Sequence, residues 1–337
     1  MAVAIWSLAS AVTGFVTGAI TLGLARLCVG ASETAMFPVA SKIIGHNFIS
    51  SDRGKAIGIV WSGARIGQAV TPILIAYLMS LWNWRVAFIM TGLAGLLWCV
   101  AWYFYYREPE NVIVEKTMEK KIPWKGLLTN RVTLGLVIAN FFQGWTMWFF
   151  LTWVPSYLVM ERGFSIIKMG IFASIPWVVG MFAQNLMGWF SDWMIKKGIP
   201  ITKARKYAII FCHLLGASAI GVGFVDDPMM AVLCLTISMA GEASAGTLIW
   251  VLIAEVAPPQ FETSLGGIVS ASGALAGIVS PVITGILVSA TGNFQLALII
   301  AGSMLLLAAA TIFWVVPDLK PLVLTNDVST RAEGESV

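Results

Sequence analysis

The sequence predicts an all-α, polytopic membrane helical bundle, and three observations carry that prediction. Of 337 residues, 58% are hydrophobic and only 11% are charged, far from the balance of an ordinary soluble domain. Apolar runs recur along nearly the whole chain, each long enough for the roughly 20-residue helix that crosses the hydrocarbon core of a bilayer. Small residues are threaded through those runs, as in GGIVSASGALAGIVSP from Gly266 to Pro281; they let helix backbones approach in a solvent that supplies no hydrophobic force between helices.

Hydropathy read against charged and turn-forming punctuation places the spans in order. Ala2–Gly18 opens directly after Met1, and Ile20–Ile44 carries Arg26 and Glu33. Ala56–Leu81 begins beyond Arg53 and Lys55 and holds Arg65 and Gln68, while Trp84–Tyr105 stops before Arg107. Val132–Met160 contains Asn140, Gln143 and the tryptophans Trp145, Trp148 and Trp153; Ile166–Phe190 contains Gln184 and Asn185. Ala208–Phe224 follows a basic run ending at Lys206, and Met229–Val256 has Glu242 at its centre. Leu265–Ala290 is the glycine-rich span, and Leu296–Val316 precedes a polar tail. The expected total is about ten membrane helices.

Lysine and arginine fall unevenly between the spans. Fifteen lie on one side, in the segments holding Arg53, Arg107 to Arg131, Lys196 to Lys206, and the tail; Arg85, Arg162 and Lys168 alone lie on the other. The positive-inside rule assigns the first side to the cytoplasm, which predicts a multi-pass protein of the cell membrane with a cytoplasmic C-terminus. The stretch from Arg107 to Arg131 mixes both signs of charge and is the longest break between spans. The expected organisation is a four-helix half over 1–106, a linker over 107–131, a six-helix half over 132–317 and a tail over 318–337. Repeat-built transporters have matching halves, so unequal halves, with Met1 opening straight into an apolar span, suggest that two helices are missing at the front.

Several quoted stretches together resemble a known family. RLCVGASETAMFP from Arg26 to Pro38, then SDRGKAIGIVWSGARIGQAVTPIL and WNWRVAFIMTGLAGLL, resemble the third to sixth helices of the major facilitator superfamily. The similarity continues through FFLTWVPSYLVMERGFS, through GWFSDWMIKKG from Gly188 to Gly198, and through AGIVSPVITG from Ala276 to Gly285. The nearest branch is the anion:cation symporters. The resemblance implies two pseudo-repeat halves working by alternating access around a midplane site, and carriage of organic anions such as hexuronates and aldarates together with protons. It gives no counterpart to the family's first two helices and does not name the substrate.

Charges inside the spans are the candidate site. Arg26 and Glu33 are seven residues apart, which puts them within about 20° of one helix face and roughly 10 Å apart along the axis. Either charge at mid-bilayer costs about 2.5–3.5 kcal/mol on insertion scales, so such groups face water or a partner. Loss of hydration and a nearby arginine push a carboxyl in opposite directions, so its protonation can respond to whether substrate occupies the arginine. Glu33 is therefore the candidate proton carrier, and Arg26 the group that holds either Glu33 or the substrate carboxylate; the resemblance points to the same Arg-x6-Glu pair. The competing reading has Arg26 snorkelling to an interface and Glu33 tied into a static ion pair. Arg65, central in its span, carries a guanidinium fork that matches a carboxylate, and is read either as an anion-binding residue or as an interhelical lock to Glu242. Glu242 is read as a second proton-coupling group or as that lock. Gln143 is a candidate substrate contact, against the default of a structural interhelical amide. Asp192, with Lys196 and Lys197 just beyond it, is read as a gate at the inner face, against a solvated helix end.

Other classes fit less well. Cys28, Cys99, Cys212 and Cys234 each lie alone in an apolar run, and His46 and His213 are the only histidines, so neither a zinc site nor a disulfide framework is predicted. No catalytic residue, metal or cofactor is expected, and an integral membrane enzyme would show a nucleophile or metal constellation that is not visible. The basic residues follow membrane orientation and form no continuous nucleic-acid-binding face. The implied partners are a small organic anion, a coupling cation, most simply the proton, and the bilayer. The remaining alternatives are a non-transporting fragment of such a carrier and a proton-coupled drug exporter of the same superfamily. A cavity arginine and the pair Gly67-Gln68, where exporters typically carry Gly-Pro, argue against the exporter.

Overall fold

The computed structural model describes residues 1–33, 43, 50–106, 123–258 and 261–317, without the side chains of 50–62 and of Arg65. His46, the 107–122 part of the expected linker and the tail from 318 lie outside the described residues. The described chain is helical, with no strand. Its helices are α1 (Ala2–Thr13), α2 (Ala19–Glu33), α3 (Ser50–Leu81), α4 (Trp84–Tyr105), α5 (Trp124–Thr129), α6 (Arg131–Met160), α7 (Ile166–Lys196), α8 (Ile201–Gly216), α9 (Ala219–Val222), α10 (Pro228–Val256), α11 (Glu262–Thr291) and α12 (Gln295–Trp314).

Local chemistry sets many of these ends. Asn83, Asn130 and Asp227 each precede a helix, and their side chains accept from the backbone N–H groups of Val86, Val132 and Met230 at 3.1, 2.8 and 2.7 Å, satisfying donors that the first turn leaves orphaned. Pro228 follows its cap directly, where its missing N–H costs nothing. At the other end, α11 stops at Gly292, whose φ of 72° is the left-handed conformation that terminates a helix.

Among the described residues six helices, α4, α6, α7, α10, α11 and α12, are long and apolar enough to cross a membrane. Two further apolar helices of 10–17 residues are α1 and the Ile66–Leu81 part of α3, and the expected span Ile20–Ile44 runs beyond the described residues after Glu33. The expected single span Ala208–Phe224 is instead two helices, α8 and α9. Around the junction, Ser218 and Ile220 donate to the carbonyls three residues back, at 3.1 and 3.0 Å, and the Ser218 hydroxyl donates to Cys234 O in α10 at 3.1 Å. That tighter turn and its side-chain bond replace the regular helical ladder there.

The chain forms two compact units. The first comprises Met1–Thr117 with Ser165–Ser174, and the second Met118–Phe164 with Ile175–Val337, so α7 starts in one and continues in the other. In the first unit α1 packs against both α2 and α4. In the second, α6 packs on α11 and α12, and α8 on α10 and α12, around a core that includes Leu136, Ile209, Leu248, Leu252, Leu265 and Ile312, all fully buried.

The small residues noted in the sequence make the closest helix contacts. One face of α11 meets α6 so tightly that a Cβ on Gly277 would stand 2.5 Å from the Trp148 ring. The Trp148 and Trp153 indoles donate to Gly273 O and Pro281 O at 3.2 and 3.1 Å. At the α8–α10 crossing a Cβ on Gly241 would fall 2.3 Å from Cys212 O and 2.5 Å from Gly216 N, so the two backbones are nearly in contact. Fixed backbone dipoles are thus satisfied across helices where lipid offers no partner.

Candidate functional site

Three groupings of ionisable and polar side chains stand out, each within one unit. In the first unit a cavity of about 690 Å3 opens among α1, α2, α3 and α4. Glu33 lines it, with the hydroxyl-bearing Ser7, Ser10, Thr71 and Thr91 and the rings of Trp6, Trp84 and Phe88. Arg26, two helical turns before Glu33, sets its guanidinium 4.5 Å from the centroid of the Phe88 ring, a cation–π position on a ring that itself borders the cavity. Arg26 and Glu33 do not form an ion pair among the described residues; Glu33 lines the cavity, and Arg26 adjoins it through Phe88. Arg65 belongs to α3, but its side chain is outside the described residues, and so is its suggested lock to Glu242.

The second grouping joins two residues that the sequence had nominated separately. Gln143 of α6 donates through Nε2 to Glu242 Oε1 at 3.1 Å and to Glu242 O at 3.2 Å. Both residues are buried, at 6% and 3% exposure. The amide reaches α10 because position 246 has no side chain: a Cβ on Gly246 would lie 2.4 Å from Gln143 Nε2.

The third grouping lies where α7, α8 and α10 have their charged ends. Arg205 Nη2 contacts Asp192 Oδ1 at 2.7 Å and Glu255 Oε1 at 2.8 Å. Its Nε also donates to Glu255 Oε1 at 2.9 Å, and its Nη1 to the Ser191 hydroxyl at 2.9 Å. Arg205 sits in the first turns of α8, ahead of the apolar stretch that begins at Ala208. Burial alone would lower its pKa, but the hydrogen bonds and charges of Glu255 and Asp192 outweigh it and hold it above the ordinary arginine value. The partner of Asp192 is therefore Arg205 and not Lys196 or Lys197. Lys197 stands 5.0 Å from the Trp193 ring centroid, and Lys196 is exposed.

Sequence reasoning missed Arg205 and Glu255. A signal was present: Ala204, Arg205, Ala208, Ile209 and Cys212 recur at helical spacing on one buried face, so a charge at position 205 needed a partner.

Asn140 and Gln184 bond to neighbouring helices, and Asn185 to its own. Asn140 donates to Val269 O at 2.9 Å and to the Ser272 hydroxyl at 3.2 Å. The Thr247 hydroxyl lies 3.3 Å from Gln184 Oε1, and Asn185 bonds within its own helix, to Met181 O at 2.7 Å. His213 is fully buried. No cluster of three metal-ligating side chains occurs among the described residues.

The described residues are helical, with six helices long and apolar enough to cross a membrane, a carboxylate on a cavity wall and an arginine held by two carboxylates at helix ends, the features of a polytopic membrane protein. Residues 1–265 match the model of the Major Facilitator Superfamily, and the chain belongs to that superfamily. It is 32% identical over 352 residues to the probable galactarate/D-glucarate transporter GarP of Escherichia coli K12, across 95% of this chain and 79% of that protein. It is 29% identical over 345 residues to the hexuronate transporter of Bacillus subtilis 168, across 99% and 81%. The D-galactonate transporter of Escherichia coli O6:H1 is 29% identical over 341 residues, across 94% and 78%. Among solved structures, a bacterial homologue of the human lysosomal transporter Spinster superposes with a TM-score of 0.73 over 93% of this chain and 80% of that one. Its sequence identity is 17%, so that likeness concerns the fold.

Proposed function

We propose that this protein is a secondary active transporter that moves a small organic anion, a sugar acid or similar carboxylate, by proton-coupled symport with alternating access. The observation that carries the reading is Glu33, a carboxylate at the end of a largely apolar helix that also carries Arg26, on the wall of a cavity whose volume of about 690 Å3 is in the range of small-molecule sites. Hydroxyls from Ser7, Ser10, Thr71 and Thr91 and the faces of Trp6 and Trp84 on the same wall suit a polyhydroxylated solute. Relatives named as galactarate/D-glucarate, hexuronate and D-galactonate transporters support the substrate class.

In this reading Glu33 takes the coupling proton, and Arg26 and Arg65 supply positive charge for the substrate carboxylate. Gln143 and Glu242 form a second polar centre, with Gln143 as a substrate contact and Glu242 as a further proton-coupling group. The Asp192 ion pair acts as a gate that holds one conformation and opens in the other. Lysine and arginine distribution supports a cell-membrane protein with that gate and the C-terminus on the cytoplasmic side.

The test is uptake of labelled galactarate, D-glucarate, D-galactonate and a hexuronate into proteoliposomes, with and without an acid-outside pH gradient. Uptake of at least one acid several-fold above protein-free vesicles, raised by the gradient, is expected. Absence of uptake of all four under both conditions would overturn the reading.

A further inference from the structure

We propose that the end of α7 carries a docking site for an anionic phospholipid, with the acyl chain along an exposed apolar stripe and the headgroup held by Lys196 and Lys197. The stripe is Phe182, Leu186, Trp189, Phe190 and Trp193, of which the first three are 66%, 65% and 64% exposed. At 100° per residue these five and the two lysines fall within a sector of about 120° on one helix. The stripe therefore runs along a helix that is long and apolar enough to cross a membrane and ends at two cations.

The end of the stripe is built for a headgroup. The rings of Phe190 and Trp193 stack with centroids 5.7 Å apart and an interplanar angle of 23°, a pair of aromatic side chains next to the helix end of the kind enriched at membrane–water boundaries. Lys197 Nζ lies over the Trp193 ring, and Lys196 and Lys203 are exposed beside it. The one acid on this stretch of helix, Asp192, is engaged by Arg205 at 2.7 Å and so does not neutralise the lysines. Juxtamembrane lysines add binding energy for anionic lipid surfaces.

A lipid is favoured over an acidic soluble protein because the cations cap an exposed apolar stripe on a helix long and apolar enough to cross a membrane and do not stand on a separate polar surface. Free phosphate would use the lysines alone, whereas a lipid uses the stripe as well. This reading is independent of what the protein transports.

The experiment is native mass spectrometry of the purified full chain in detergent, offered phosphatidylglycerol and phosphatidylcholine with identical acyl chains. The wild type retains phosphatidylglycerol preferentially, and the preference falls by about five-fold for each lysine removed in Lys196→Gln and Lys197→Gln. It persists in the Lys→Arg variants and shrinks for the unmodified protein in high salt, a measurement that needs no variant to fold. Trp193→Leu weakens retention of both lipids, and excess soluble glycerophosphate does not displace the bound one. No preference in the wild type, an unchanged preference in the double Gln variant, or displacement by glycerophosphate would overturn the proposal.

Discussion

Gln143 and Glu242, separated by 99 residues in sequence, meet in the interior of the second unit through an amide that donates to both the carboxylate and the backbone carbonyl of the same residue. A buried donor given two acceptors on one partner fixes the side chain of that partner. Gln143→Leu removes both of these bonds and is expected to cost about 1–3 kcal/mol, read as a lower midpoint of thermal unfolding in detergent. Gly246→Ala places a methyl where the amide now lies and should reproduce much of that loss without touching either polar group.

Arg205 is the hub of its cluster, so removing it leaves two carboxylates and the Ser191 hydroxyl without their donor. Its side chain is 7% exposed, against 26% for Glu255 and 56% for Asp192. The expected order of destabilisation is Arg205→Ala, then Glu255→Gln, then Asp192→Asn, the first costing about 1–3 kcal/mol and the last well under 1 kcal/mol because water screens it. The same measurement checks the sign of the pH dependence. A cation whose folded pKa is raised stabilises fully below its unfolded value and loses that contribution only as pH rises through the folded one. For Arg205 that window lies above the ordinary arginine value, far above neutral pH, so the stability difference between wild type and Arg205→Ala is expected to stay level from neutral pH to about pH 10 on the arginine's account.

Close helix crossings give a steric prediction. A methyl at position 241 would press on the Cys212 carbonyl and Gly216 amide, which are backbone atoms that cannot rotate away. Gly241→Ala is therefore expected to cost about 1–3 kcal/mol and to lower the yield of folded protein. Gly267, with nothing within 4 Å of its would-be Cβ, is the control: alanine there should be neutral or slightly stabilising through helix propensity.

Several helix ends were legible in the sequence because they are local, whereas α1 stops at Thr13 before the expected Gly18 and α7 runs on to Lys196 past the expected Phe190. Trp84–Tyr105 is observed with the predicted bounds, and Arg131–Met160 and Pro228–Val256 begin one residue before their predicted starts; hydropathy and a capping residue such as Asn83 or Asp227 suffice. The break between α8 and α9 was not legible, since Ser218 and its bond to Cys234 O depend on a neighbouring helix. Individual candidates stood out for the same local reason: Glu33, Arg26 and Glu242 are charges in apolar stretches. What spacing cannot give is which faces meet. It nominated Gln143 and Glu242 without joining them, and it grouped Asp192 with Lys196 and Lys197 without naming Arg205, which the structure sets against Asp192. An arginine can serve Asp192, Glu255 and Ser191 at once through its fork, a geometry that a single ammonium at position 196 or 197 does not offer.

Glu33 on the cavity wall is the centre of this account, and its role is separable from folding. Proteoliposomes holding wild type or Glu33→Gln should be compared in two modes: accumulation of a labelled sugar acid driven by a pH gradient, and exchange of labelled for unlabelled acid with no gradient. The account predicts that Glu33→Gln loses gradient-driven accumulation at least ten-fold while retaining exchange, since the amide mimics the protonated carboxyl. Undiminished uphill accumulation by Glu33→Gln would contradict it.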